Sequence, residues 1–131
     1  MKIDNTLLDN LTAQAKSSPR LRMNLDLRDS AEDTSQGMLN ALEPGTVLPI
    51  HRHRTTSETV AILRGRAVQY LYDEQGNEVG SVLLEAGGEI PAMQVEMGQW
   101  HSLECQESGT VILEMKDGAY EPIGAADILS M

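Results

Sequence analysis

The sequence predicts an all-β fold, an antiparallel sandwich or barrel of short strands with one short helix ahead of it. Three observations carry this. From residue 36 onward, apolar-rich segments at 36–42, 47–53, 58–64, 67–72, 79–84, 90–97, 101–104 and 110–116 are broken by Pro44-Gly45, Gly65, Gln75-Gly76-Asn77, Gly87-Gly88, Gly98 and Ser108-Gly109. Strands that short and evenly spaced belong to antiparallel β proteins rather than to alternating strand–helix units. Residues 20–28 alternate strictly between polar and apolar, the period of a half-buried strand. The third observation is size: 131 residues with 40% hydrophobic content suit one domain with one core. Phe is absent and aromatics are only 3%, so Leu, Ile, Val, Ala and the seven Met must fill that core.

Along the chain, residues 4–16 form the helix, since Leu7, Leu8, Leu11 and Ala15 recur at helical spacing behind Asp4 or Asn5 as cap. Ser17-Ser18-Pro19 ends it, and residues 29–35 form a polar loop. The tail after Gly118 is expected to be irregular, with a helical turn near 124–129. The whole of 1–131 is thus one domain: a helical segment at 1–17, strands over 20–116 and a tail at 117–131.

The net charge of −10 argues against nucleic acid or an anionic membrane as partner. One cysteine, Cys105, excludes an internal disulfide and fits the core as a small residue. The N-terminus turns polar at once, and no apolar run approaches the roughly 20 residues of a membrane helix, so a cytoplasmic setting is expected. Basic residues are unevenly placed: Arg52, Arg54, Arg64 and Arg66 cluster, whereas Lys116 is the only Lys or Arg from Ala67 to Met131. Such a patch can receive an anionic small molecule or pair with surface carboxylates.

The chemistry concentrates between residues 45 and 65. His51 and His53 are two apart, so on one strand both imidazoles face the same way. Glu58 opens the next strand, and His101 follows the turn Gly98-Gln99-Trp100. The chain's three histidines are all used. Imidazole nitrogens with a carboxylate suit one divalent transition metal, Mn, Fe, Co, Ni or Zn, with about two positions left open on an octahedral ion.

Residues 45–65 match the first cupin motif at every fixed position: Gly45, His51, His53, Glu58 and Gly65. The second motif keeps Gly98 and His101 but has Glu96 where proline is usual and Cys105 where asparagine is usual. Ser18-Pro19-Arg20, Met38-Leu39-Asn40-Ala41, Trp100-His101-Ser102 and Glu114-Met115-Lys116-Asp117-Gly118 resemble the WbuC-type cupin-fold metalloproteins, with Ala119 and Arg28 as departures. The resemblance implies a jelly roll, or double-stranded β-helix, that binds metal and forms a homodimer, with helix and strand 20–28 as packing or swapping elements. It also implies a small polar metabolite as ligand, such as a sugar or sugar nucleotide of O-antigen biosynthesis. An enzyme of that kind would be an isomerase or epimerase, a lyase or a dioxygenase. The alternatives are a metal-dependent binding module without catalysis and a barrel that the metal merely stabilises.

Candidates to contact a ligand are Arg22, which shares the polar face of its strand with Asn24, together with Asn40, Arg64, Glu114 and Lys116. Arg64 has the parity of Glu58 and points inward if no bulge intervenes, while Arg52, between two inward histidines, points away. Glu114 and Lys116 share one face of the last strand and suit either a cross-strand surface pair or the pocket. Trp100 belongs at the mouth of the fold or an interface.

Overall fold

A computed structural model of the chain describes residues 1–129. Helix α1, Asn5–Ser17, is capped by the Asp4 carboxylate, which accepts the Leu7 N–H at 3.0 Å. It stops at Ser18, held extended by the proline that follows. Ten strands come next: β1 (Arg22–Asp26), β2 (Ser35–Leu42), β3 (Ile50–His51), β4 (Glu58–Arg64), β5 (Arg66–Tyr72), β6 (Glu78–Glu85), β7 (Ala92–Val95), β8 (Trp100–Cys105), β9 (Thr110–Asp117) and β10 (Ile128–Leu129).

They form two five-stranded antiparallel sheets, β1-β2-β9-β4-β7 and β10-β3-β8-β5-β6. This is the expected all-β jelly roll, with one difference: among the described residues no strand pairs across from one sheet to the other. The sheets therefore face each other as an open sandwich, not a closed barrel. Between them Leu42, Val60, Ile62, Ala67, Leu84, Leu103, Cys105 and Ile112 form the main core, with Cys105 in the place expected of it. Burying a side chain such as Leu42 or Leu84 contributes about 1.5–3 kcal/mol.

A second core lies outside the first sheet. Leu8, Leu11 and Ala15 of α1 cover Leu39, Ala41 and Val111, with Met23, Leu25 and Leu27 beside them. The apolar residues of β1 are thus turned outward to the helix, and its polar residues face into the sandwich. The helix is consequently packed on its own chain.

Two elements differ from the sequence reading. The segment 47–53 pairs as a strand only at Ile50–His51, just after Pro49, whose nitrogen has no hydrogen to give a ladder. In the tail, the expected helical turn is present as a 3₁₀ turn at Ala125–Asp127, but it leads into an unexpected short strand, β10, which pairs Ile128 with His51. The last two tail positions, 130 and 131, lie outside the described residues. No helix among the described residues is long and apolar enough to cross a membrane.

The inner face of the first sheet changes character along its strands. At one end lie Leu42, Ile62 and Ile112. Further along, Val60 sits opposite Glu114, which sits opposite Met38; in the last row Glu58 pairs with Lys116, and Lys116 with Gln36. The apolar end is the core and the polar end is the site.

Candidate metal centre

β3 and β8 place His51 directly opposite His101 in register. Their ring centroids are 4.3 Å apart, and His53, just past the end of β3, lies 5.1 Å from His51 and 5.5 Å from His101. The three rings can offer nitrogens that all lie within 4.8 Å of one another. Glu58, at the start of β4 on the facing sheet, brings Oε2 to 2.8 Å from His53 Nε2.

The tautomers follow from the backbone. His51 Nδ1 lies 3.0 Å from the Pro49 carbonyl and His101 Nδ1 2.8 Å from the Gln99 carbonyl. A carbonyl only accepts, so both Nδ1 atoms carry the hydrogen and both Nε2 atoms present a lone pair to the interior. Burial foremost, then mutual repulsion of His51 with His101, holds the His51 pKa at about 4. Burial also depresses His53 and His101 to about 4, with Lys116 adding to the effect at His53. All three rings are therefore neutral at pH 7, the form that binds metal.

His53 Nε2, Glu58 Oε2 and His101 Nε2 are buried without a hydrogen-bond partner among the described residues. His53 and Glu58 are close enough to be an ion pair but are misaligned for a hydrogen bond. Three buried, unpartnered polar atoms would cost several kcal/mol in an apolar setting. Ligands held 2.0–2.2 Å from one ion stand roughly 3 Å apart, which matches the His53–Glu58 spacing. The donors present fit a divalent transition ion.

A cavity of about 390 Å³ opens over this cluster, and Arg22, Asn24, Asn40, Glu114 and Lys116 all line it. Arg22 donates to the Val47 carbonyl at 3.3 Å, and Lys116 Nζ stands 3.7 Å from Glu58 Oε2. Asn40 is buried, its Nδ2 donating to Glu114 Oε1 at 3.4 Å while its Oδ1 has no partner. Burial, then the adjacent Glu58 carboxylate, pushes the Glu114 pKa up to about 7. Glu114 and Lys116 are thus pocket residues rather than a surface pair.

Arg64 is not brought to the cavity. The β4–β9 register shifts between Ile62 and Arg64, and this bulge turns Arg64 outward to Asp9 at 2.6 Å and Asn5 at 2.8 Å on α1. The arginine patch is dispersed: Arg52 and Arg54 bind Asp127, and Arg66 approaches Glu85 at 3.9 Å. Arg52 points away from the cluster, as its parity requires, with its guanidinium 4.6 Å over the buried Trp100 ring. Sequence reasoning missed Gln69, Tyr120 and Ile123, which also line the cavity. Gln69, a buried amide amid apolar β5 that donates to the Ser102 carbonyl at 2.9 Å, left a legible signal; the other two lie in a segment without periodicity.

Fold and site together define a cupin-type jelly roll with a three-histidine cluster that could hold a metal ion. Similar architecture occurs in CapF of Staphylococcus aureus, the capsular polysaccharide assembling protein (17% identity, 82% of this chain and 34% of that one, TM-score 0.62). KdgF from Halomonas sp. is also similar (13% identity, 77% of this chain and 82% of that one, TM-score 0.60). So is Bacillus subtilis oxalate decarboxylase, which has Mn(II) centres (20% identity, 76% of this chain and 26% of that one, TM-score 0.57). The chain thus spans about a third of CapF and about a quarter of the decarboxylase. No curated protein matches it in sequence. The chain belongs to the family described as a domain of unknown function, DUF6016, whose profile matches residues 3–84.

Proposed function

We propose that this protein is a metal-dependent cupin in which His51, His53, Glu58 and His101 bind one divalent ion, Mn, Fe, Co, Ni or Zn, and a small anionic metabolite binds above it. The observation that carries the reading is the His51, His53 and His101 cluster, whose nitrogens lie within 4.8 Å of one another, with the buried Glu58 Oε2 2.8 Å from His53 Nε2. When bound, the metal supplies a Lewis acid that polarises a carbonyl or acidifies water.

The remaining roles fall to the chain's own residues. Arg22 and Lys116 give the ligand's anionic group two cationic partners in an otherwise acidic protein. Asn40 Oδ1, buried and unpartnered, accepts from a ligand hydroxyl. The Glu114 carboxyl, poised near neutrality, holds or releases a proton at Oε1 or Oε2. Such a set suits an isomerase or epimerase, a lyase or a dioxygenase.

The finer reading is a WbuC-type protein of O-antigen biosynthesis acting on a sugar or sugar nucleotide. The printed role of CapF in capsular polysaccharide assembly supports it by analogy of fold. In this reading the chain is one cupin domain over 1–131, cytoplasmic and homodimeric.

The test is elemental analysis of the purified protein, followed by a thermal-shift screen of sugars, sugar nucleotides and keto acids on metal-loaded protein. One equivalent of metal, lost in Glu58→Gln and His101→Ala variants that remain folded, is expected. Full metal occupancy in both variants would end the four-ligand assignment.

A further inference from the structure

Tyr120 and Ile123 belong to no helix or strand, yet both wall the cavity over the histidines. They lie on the segment 118–127, whose outer side is in water: Tyr120 is 51% exposed and Ile123 38%. Little apolar burial holds this segment down, so its attachment depends on its two ends.

At the first end, the Gly118 N–H donates to the Thr34 carbonyl at 2.8 Å, and the Gly118 carbonyl accepts from Gln36 Nε2 at 2.6 Å. The Arg28 guanidinium, itself clamped by Asp26 at 2.7 Å, lies 5.1 Å over the Tyr120 ring. At the second end, two guanidinium groups converge on one oxygen. Asp127 Oδ1 accepts from Arg52 Nε at 2.9 Å and from Arg54 Nη2 at 2.9 Å, and the Arg52 backbone N–H donates to the Asp127 carbonyl at 3.0 Å.

This second clasp grips the histidine segment itself, because Arg52 stands between His51 and His53 and Arg54 follows His53. Ile123 also walls a second cavity of about 480 Å³, lined by Arg54 and Asp127, which shares His53 and Lys116 with the first. The segment therefore stands as a partition between two spaces that meet at His53 and Lys116.

We propose that residues 118–127 form a strap that gates the metal cavity, with Tyr120 and Ile123 limiting the size of molecule admitted and the Arg52–Arg54–Asp127 clasp as its latch. The proposal rests on the metal-centre reading only for what is gated. With the strap lifted, the two cavities join and the histidines face solvent.

The test uses full-length wild type, Asp127→Asn and Arg54→Gln, each loaded with Co(II). Two rates are read: amide hydrogen exchange over 119–126, and stripping of Co(II) by EDTA followed by its visible absorption. A latch of charge-assisted hydrogen bonds predicts that both rates rise about tenfold in either variant. High salt should raise both in wild type, while the Co(II) spectrum stays unchanged. Faster exchange with unchanged stripping would overturn the gate, and unchanged exchange would overturn the latch. Should Co(II) fail to bind wild type, the metal reading fails separately. The strap is then judged by diethyl pyrocarbonate modification of His101 in the metal-free chain, expected to be faster in Asp127→Asn, with equal rates overturning the proposal.

Discussion

Replacing Gly65 with alanine probes the point where the first cupin motif closes. Gly65 joins β4 directly to β5 at φ +78°, a left-handed conformation. A Cβ there would overlap the Thr110 hydroxyl and stand 2.8 Å from Thr110 Cα and 2.9 Å from its Cβ. Thr110 cannot yield easily: it is fully buried, its hydroxyl donates to the Glu107 carbonyl at 2.7 Å, and it accepts the Arg66 N–H at 3.2 Å. The left-handed backbone costs an alanine about 1–2 kcal/mol, the overlap roughly 1–3, and the disturbed hydroxyl network about 1. The sum is about 3–6 kcal/mol, or roughly 12–24 °C in Tm for a chain of this size.

Gly87→Ala is the matched control, since Gly87 has φ +71° but nothing within 4 Å of its would-be Cβ. It should lose only the conformational part, about 1–2 kcal/mol. Urea unfolding of the two variants, with the slope unchanged, isolates the contact. Equal losses would refute the reasoning, because they would leave the Thr110 contact without energetic weight.

Acid should destabilise the metal-free protein. The three histidines titrate near 4 when folded and near 6.5 when unfolded, so between those values the unfolded chain binds more protons. Stability should therefore fall as pH drops from about 6.5 to 4, by roughly 3 kcal/mol per histidine at most, and His101→Ala should flatten the urea-midpoint profile. Asn40→Leu removes a buried, unpartnered oxygen and should raise stability by about 1 kcal/mol while weakening ligand binding, as urea unfolding paired with the thermal-shift screen would show. A loss of stability would mean that Asn40 is better satisfied than its geometry indicates. Arg64→Ala should cost about 0.2–1 kcal/mol through its helix pairing and leave metal affinity unchanged, as unfolding and metal titration would record.

What the sequence made legible was whatever repeats locally. Short strands between glycine and proline breaks, the His51–His53 spacing and the cap at Asp4 all follow from near-neighbour rules. What it hid depends on partners far along the chain. The alternation of β1 was read correctly, but which face is inside was set by α1: the helix took the apolar face, so Arg22 and Asn24 turned to the cavity rather than to water. The inward reading of Arg64 failed on one extra residue of bulge, which no local periodicity announces. Among the described residues β10 is two residues long, and it pairs with the edge that His51 and Ile50 offer. Tyr120 and Ile123 lie in a segment with no period at all, and only the fold brings them over the histidines.

The division of the sandwich into an apolar end and a polar end has a consequence for how the molecule fails. Leu42, Ile62 and Ile112 anchor one end of the first sheet, whereas the other end is held by paired charges, a two-residue strand and a tail clasped at its tips. Heat, denaturant or acid will therefore loosen the histidine end while the hydrophobic end still holds its shape. Loss of the centre will precede loss of the fold, and a globule with intact secondary structure but no competent site will be the first product of stress.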